Sequence, residues 1–432
     1  MAMKEDNRKE GLLAATLAAV LACAVPSAVA EDGVSCLGKE SAPDMICGAP
    51  RIQPRAEILW TKVLCKEEGR YIGWPSVCRA SNGDLLAVFS GDRDAHVCPW
   101  GKVQMVRSKD GGLTWSGPVD ICNTIIDDRD AGIITLDDGS LLMSWFTSTA
   151  YAWRVRNRKQ LKPGSPEFYW HLHDAKMRPE DMIAQLGAFV RRSTDGGKTW
   201  APAVRTRGSA PHGPIQLRDG RILYVGKEME FENDKYGRIK PGTVIAAESR
   251  DKGATWRTIG EIPFPNGMNV FRHCHEPHVV ETSDGTLVAH IRCVEKEKGK
   301  DGKKRTFGLR GVLQSESRDG GSTWTVAHDV GLKGYPAHLL RLNDGLLLTV
   351  YGRRWGDSGE YACLSDDNGQ TWDVRNEIKI AGHWNGDMGY PASVQLPDGT
   401  ILTVYYQAES NNEKPCLMGT LWRIRQNKKE TP

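Results

Sequence analysis

The sequence predicts an all-β chain folded as a six-bladed β-propeller of four-stranded antiparallel blades. Two repeats and one pair of terminal segments carry that expectation. The first repeat is an apolar stretch, a D-G-type turn and a second apolar stretch. It occurs six times, as SNGDLLAVFS (81–90), DDGSLLMSWF (137–146), RDGRILYVGK (218–227), SDGTLVAHIR (283–292), NDGLLLTVYG (343–352) and PDGTILTVYY (397–406). An Asp-Gly or Asn-Gly pair between β-formers signals a hairpin, because the turn needs a residue that accepts positive φ. The turn glycines Gly83, Gly139, Gly220, Gly285, Gly345 and Gly399 lie 54 to 81 residues apart, room for four strands and their loops. The second repeat, S-x-D-x-G-x-T-W, follows the first five units as SKDGGLTW (108–115), STDGGKTW (193–200), SRDKGATW (249–256), SRDGGSTW (317–324) and SDDNGQTW (365–372). The terminal segments are a strand-like run at 56–65 and CLMGTLWRIR at 416–425, which together complete the last blade and shut the ring. A solenoid would need capped ends, and neither end of the repeat array reads as a cap.

Along the chain, Lys4, Arg8 and Lys9 precede an apolar run from Leu12 to Val25, and Ala28-Val29-Ala30 forms an A-x-A site. Residues 1–30 therefore read as a secretory signal peptide and the protein as exported, periplasmic or extracellular, after cleavage near Ala30. Leu21-Ala22-Cys23 raises the alternative of a lipid anchor at Cys23, although Val20 and Leu21 fit a lipobox poorly. No other stretch is long and apolar enough to span a bilayer. Residues 31–55, rich in Pro, Gly and charge, read as an N-terminal tether, and 56–432 as the propeller. Of the 11 Cys, Cys36 and Cys47 are the expected local bridge in an exported chain. No C-x-x-C or H-x₃-H pattern suggests structural zinc.

A net charge of +3 gives no reason to expect nucleic acid or an anionic membrane surface as partner. Hydrophobic residues at 40% with 14 Trp supply a substantial core. Between Phe146 and the second S-x-D-x-G-x-T-W copy lies an insertion carrying Tyr151, Trp153, Arg154, Arg156, Tyr169, Trp170, His171 and His173, with a helix-like piece around Pro179–Leu186. Its aromatic and basic content suits a lid over a sugar site as well as a packing loop. The run EKEKGKDGKKR (295–305) reads as a solvated hairpin tip.

In a propeller the innermost strand of each blade starts near the axis, so equivalent positions converge on one pocket. Nine residues before the turn glycines stand Trp74, Asp130, Pro211, Glu276, Pro336 and Tyr390; ten before stand Gly73, Arg129, Ala210, His275, Tyr335 and Gly389. His212, His273, His278 and His338 are close by in sequence. Equivalent positions of a structural repeat should hold similar residues. These diverge and are largely polar, which marks them as functional candidates.

The S-x-D-x-G-x-T-W turn is an Asp box: its Asp accepts from backbone N–H groups, its Gly supplies positive φ, and its Trp anchors the loop. The chain thereby resembles the sialidase (neuraminidase) superfamily, as a divergent member. The box bears on fold and says nothing of which bond is cut. The resemblance implies a Tyr nucleophile in the last blade, matched by Tyr390 in GYPASVQLPDG, with Glu276 of HEPHVVETSDG as its base. It places a carboxylate-gripping Arg at Arg292. Three features depart from the family's pattern. Gly73 in Tyr71-Ile72-Gly73-Trp74-Pro75 stands where the family's first Arg would be, with Arg129 as a substitute at equal depth. The acid/base Asp position falls on His96 of GDRDAHVCPWG, with Asp92 and Asp94 close by; a His can do that work near neutral pH. The third Arg has Arg353 and Arg354 as counterparts, set earlier than the family's spacing.

The expectation is an exo-acting, retaining glycoside hydrolase of the sialidase type, releasing an acidic sugar from glycans. Tyr390, Glu276 and His96 or Asp94 would be catalytic. Arg292, Arg129, Arg353, Asp130, His212, His275, Tyr335 and Trp74 would bind substrate. A polysaccharide lyase acting on uronic acids through His, Tyr and Arg is the second enzymatic reading, and a non-catalytic glycan-binding propeller the third. None of these needs a metal or other cofactor. The expected partner is a glycan or oligosaccharide; the sequence leaves the oligomeric state, the sugar and the linkage open.

Overall fold

The computed structural model describes residues 55–156, 160–229, 242–298 and 304–425. The expected signal peptide (1–30), the expected tether (31–55) except Arg55, Cys23 and the expected Cys36–Cys47 bridge lie outside the described residues. A first strand, β1 (Ala56–Cys65), precedes the blades. Blade 1 holds β2 (Tyr71–Arg79), β3 (Leu85–Arg93), β4 (Lys102–Ser108) and β5 (Val119–Cys122). Blade 2 holds β6 (Asp127–Thr135), β7 (Leu141–Ser148), β8 (Ala188–Ser193) and β9 (Val204–Thr206). Blade 3 begins with two short pieces, β10 (Gly208–Ser209) and β11 (Ile215–Gln216), both paired with β12 (Ile222–Glu228), and continues through β13 (Val244–Ser249) and β14 (Arg257–Glu261). Blade 4 is β15 (Cys274–Glu281), β16 (Leu287–Lys298), β17 (Lys304–Ser317) and β18 (His328–Asp329); blade 5 is β19 (Ala337–Arg341), β20 (Leu347–Arg353), β21 (Gly359–Ser365) and β22 (Ile378–Ala381). Blade 6 contains β23 (Gly389–Gln395), β24 (Ile401–Gln407) and β25 (Cys416–Ile424), and β1 is its outer strand, running antiparallel to β25 from Ala56 opposite Ile424 to Cys65 opposite Leu417. The fold is thus the expected six-bladed propeller of antiparallel sheets, closed by its own first strand.

Both faces of each inner sheet are apolar because each blade is packed on both sides. Leu85, Ala87 and Phe89 meet Leu402, Val404 and Leu417 of blade 6, while Leu86 and Val88 meet Ile133, Leu141 and Met143 of blade 2. The same alternation seals blades 3 and 4 (Leu223, Val225 with Val279, Leu287) and blades 4 and 5 (Val288, Val312 with Leu339, Leu347). Each buried aliphatic side chain at such a seam contributes about 1.5–3 kcal/mol.

The Asp boxes tie strands three and four of blades 1 to 5. In the first, Ser108 Oγ donates to Asp110 Oδ1 (2.8 Å) and accepts from Gly112 N (2.8 Å), while Thr114 N donates to Asp110 Oδ1 (2.9 Å). Gly112 has φ +93°, which a side chain would resist. Trp115 Nε1 donates to Gly112 O at 3.1 Å; in the fifth box Trp372 Nε1 turns instead to Gln314 Oε1 at 2.7 Å.

One loop expectation needs correction. The insertion folds into three helices, α1 (Ala152–Arg156), α2 (Pro166–Lys176) and α3 (Pro179–Gln185), only the last of which the sequence suggested. Ser165 caps α2 by accepting from Phe168 N, with Pro166 at its first position. The run 295–305 does lie at the end of a hairpin, as expected: β16 reaches Lys298 and β17 begins opposite it at Lys304, with 299–303 outside the described residues. A fourth helix, α4 (Val270–His273), leads into β15.

Candidate active site

The residues nine before each turn glycine share a backbone device. Trp74, Asp130, Glu276 and Tyr390 all have positive φ, between 52° and 55°. Each sits in an interruption of the innermost hairpin register, between Gly73 and Ser76, Arg129 and Gly132, His275 and His278, and Gly389 and Ala392. A bulge with one residue in the left-handed region costs of order 1–3 kcal/mol and re-aims its side chain out of the strand's alternation. Here four blades use it to turn a side chain to the axis. The other two positions are Pro211 and Pro336, whose rings fix φ negative.

At the centre, Tyr390 Oη donates to Glu276 Oε1 at 2.6 Å. Arg292 Nη1 bridges both Glu276 oxygens at 2.9 and 2.7 Å and lies 3.4 Å from Tyr390 Oη. Burial works against the Glu276 carboxylate, but Arg292 and the Tyr390 hydroxyl outweigh it and hold its pKa below the ordinary value. Burial, then the Glu276 charge, lifts the Tyr390 phenol well above its usual value. The ground state is therefore a neutral phenol bonded to a charged base, with 19% of the Glu276 side chain open to the pocket. Tyr335 lies under Arg292, 4.4 Å from ring centroid to guanidinium carbon.

The structure does not bring Arg353 to this centre. It pairs with Glu377 through Nη2 at 2.7 Å and donates to Lys333 O. Its neighbour Arg354 turns inward, donating from Nε to Met388 O (2.8 Å) and from Nη2 to Tyr406 Oη (3.3 Å), with Tyr390 and Tyr335 within 6 Å of its guanidinium. Arg129 stacks on Trp74 at 4.3 Å and lies 3.7 Å from Asp130. Its buried Nε and Nη1 have no hydrogen-bond partner among the described residues. Where the family's first Arg would stand, Gly73 leaves room for the Tyr71 ring, whose Cε1 lies 3.0 Å from where a Cβ would be.

Of the two acid/base candidates, His96 faces the pocket. Its ring stands edge-on to Trp74 at 4.9 Å and its Nδ1 lies 3.5 Å from Tyr71 Oη. Burial first, then Arg129, Arg93 and Arg354, push its pKa well below 6.5, so the free protein holds it neutral. Asp94 is instead engaged by Arg70 and by Trp170 Nε1 of α2 (2.8 Å). Asp130 is buried, and that burial lifts its carboxyl to about 7 against the pull of Arg129. His275 meets Arg272 O through its Nε2 at 3.1 Å, and burial depresses its pKa to about 4. His212 lies deeper. It meets His338 and His278 edge-on at 5.2 and 5.6 Å and has Tyr390 at 6.4 Å, below the charged layer.

Sequence reasoning missed Asp387, which accepts from Tyr71 Oη (2.9 Å) and Tyr406 Oη (3.3 Å) beside His96 and Arg354. Its signal was being the one carboxylate in HWNGDMGY, just ahead of Tyr390. It also missed Arg93, fully buried, which pairs with Asp127 at 2.6 and 2.8 Å and backs the Trp74 ring at 4.9 Å. Among the described residues no group of three or more His, Cys, Asp or Glu is arranged to hold a metal ion.

The insertion joins the rim. Asp127 pairs with Ser148, so α1 leaves from the same strand ends that carry Arg129 and Asp130. Arg154 of α1 is close enough to His96 to depress its pKa. Between α2 and the 94–100 loop runs a groove of about 550 Å³, lined by Asp94, Trp100, Tyr169, Leu172, His173 and Lys176.

A closed ring of six blades with a charged, strained axial layer defines a sialidase-like propeller. The chain belongs to the BNR repeat-like domain family, whose sequence pattern matches residues 180–404. It is 27% identical over 396 residues to a sialidase of Micromonospora viridifaciens, covering 83% of this chain. The chain spans about half the length (54%) of that curated relative. Among solved structures it resembles a protein of unknown function from Dyadobacter fermentans (TM-score 0.66, 24% identity, 86% of this chain and 100% of that one). It also resembles a Hadza microbial sialidase (TM-score 0.53, 16% identity, 83% and 66%) and an α-L-arabinanase of Penicillium chrysogenum (TM-score 0.54, 13% identity, 84% and 98%). These structural likenesses establish the fold, which serves more than one sugar chemistry.

Proposed function

We propose that this protein is a retaining, exo-acting glycoside hydrolase that releases an acidic sugar, of the sialic acid type, from a glycan's end. The observation that carries the reading is the 2.6 Å bond from the Tyr390 hydroxyl to the Glu276 carboxylate, pinned by Arg292. A phenol is a weak nucleophile until a base takes its proton, and a charged carboxylate in contact with it is that base. Tyr390 attacks the anomeric carbon as Glu276 accepts its proton. Arg292, Arg354 and the unpartnered face of Arg129 grip the sugar's carboxylate, a role suited to forked, permanently charged donors.

His96 protonates the leaving oxygen. In the free protein burial, and then its arginine neighbours, keep it neutral; an anionic sugar among those arginines offsets their part of the effect and raises its proton affinity. Water then displaces Tyr390, with His96 as base. The relative in Micromonospora viridifaciens is named a sialidase, which agrees with this reading. The apolar run at 12–25 and the Ala28-Val29-Ala30 site support action outside the cytoplasm.

A neutral His96 also favours a second reading, a lyase in which the imidazole takes a proton beside a uronate carboxylate neutralised by arginine. Products separate the two. Proton NMR of a sialoside digest should show the released sugar first in the anomeric configuration of the substrate, with no new ultraviolet absorbance. Absorbance from an unsaturated uronate, with sialosides untouched, would replace hydrolysis with elimination.

A further inference from the structure

All eight described cysteines are unpaired and buried, and two of them face each other beside the site. Cys274 opens β15 and Cys293 is its register partner on β16. Partners across antiparallel strands have Cα atoms about 4.5–5.5 Å apart, within the range a disulfide bridges. Their sulfurs are 3.7 Å apart, both side chains are fully buried, and Met268 Sδ lies 3.6 Å from Cys274 Sγ. Bonding requires the sulfurs to approach from 3.7 Å to about 2 Å.

The pair brackets the catalytic hairpin. Glu276, at its positive-φ bulge, is two residues beyond Cys274, and Arg292 directly precedes Cys293. A bond here would fasten the end of the hairpin at which β15 enters its strained bulge. It would close a loop of about 20 residues, which restricts the unfolded chain.

We infer that Cys274 and Cys293 form a disulfide when the protein folds in the presence of a disulfide-bearing oxidant, such as a thiol oxidase of an exported-protein compartment or oxidised glutathione. The thiolate of one cysteine attacks the oxidant's disulfide, giving a mixed disulfide and releasing one thiol. The second cysteine loses its proton and displaces the oxidant's other sulfur. Two electrons and two protons pass to the oxidant, and one S–S bond replaces another. The exchange precedes sealing of the blade, because in the folded protein the contact with Cys293 and burial push the Cys274 thiol far above its usual pKa.

The full chain, produced in an oxidising compartment, is denatured without reductant in the presence of N-ethylmaleimide and mapped by mass spectrometry. A peptide linking Cys274 to Cys293, absent after dithiothreitol, is the expected result. Thiol adducts on both residues, or linkage of either to another cysteine, would overturn it. Thermal unfolding of the native protein gives the second readout. Reductant should lower the wild-type Tm by about 4 °C and leave a Cys274→Ser/Cys293→Ser variant unmoved; equal shifts in both would contradict the bridge. The bond does not depend on which glycan is cleaved.

Discussion

Arg353 and Arg354 show how one residue of register separates a structural role from a functional one. Arg353 shares a strand face with Tyr351, and both reach Glu377. Arg354 falls on the other side and joins Tyr390. Arg354→Ala should raise KM for an acidic sugar about 10- to 100-fold, since a charge-assisted bond to a buried anion is worth about 1.5–3 kcal/mol. Arg353→Ala should leave KM unchanged in the same steady-state assay. The choice was not readable from sequence because Leu347 and Leu348, on opposite faces of β20, are both fully buried, so hydrophobic alternation carried no parity. Glu276, Tyr390 and Arg292 were readable, because each sits at a counted distance from a turn glycine.

Glu360 tests the cost of charge near the axis. It is fully buried, and neither carboxylate oxygen has a hydrogen-bond partner among the described residues. Burial lifts its pKa from 4.5 to about 8, against the opposing charge of Arg354. The folded state therefore holds a proton that the unfolded chain has released across that interval, and stability falls as pH climbs through it. Glu360→Gln, neutral at every pH, should gain about 4 kcal/mol over wild type at pH 8 and nothing at pH 4. Denaturant titration at both values measures this; equal differences at the two would mean the carboxyl is not the source.

At the scale of elements, the Asp-box turns are stability devices with a pH signature of opposite sign. Hydrogen bonds from the Thr114 and Thr323 side chains, then from their backbone N–H groups, hold Asp110 and Asp319 at about 2, below the unfolded value of 3.8. Between those values the unfolded chain binds more protons, so the boxes' contribution is present above pH 3.8 and lost as pH falls towards 2. Asp319→Ala should lower Tm at pH 6 and narrow the Tm difference between pH 6 and pH 2.5, as read by calorimetry. The boxes were legible because the Ser, Asp, Gly and Thr bonds that define them are local to eight residues, although the Trp372 contact with Gln314 is not. The bulges opposite them were legible only as positions. Nothing in the residue types at Trp74, Asp130, Glu276 and Tyr390 announces a shared positive φ; the constraint comes from the ring, which must turn side chains sideways to meet at its axis. Helices α1 and α2 were missed because their aromatic and basic residues read as a lid surface, and only Trp170 of α2 is buried.

The described residues form a closed ring in which β1 is the outer edge of the last blade, so both ends of the described chain are held by one sheet. That closure fixes the angles between blades, and those angles bring Arg129 of blade 2, Glu276 and Arg292 of blade 4, Arg354 after blade 5's second strand and Tyr390 of blade 6 to one centre. Closure and blade count were plain from the repeats. The Arg129 stack on Trp74 and the Asp387 contacts were not, because they join segments that only the ring makes neighbours. The central claim is that this assembled centre cleaves by covalent catalysis through Tyr390. Its most direct test is release of free sugar from α-linked sialosides by the wild type and by Tyr390→Phe, both verified as folded by circular dichroism. The wild type should turn over and the Phe variant should lose at least about 100-fold in kcat; a Tyr390→Phe protein that still matches the wild-type rate would contradict the mechanism.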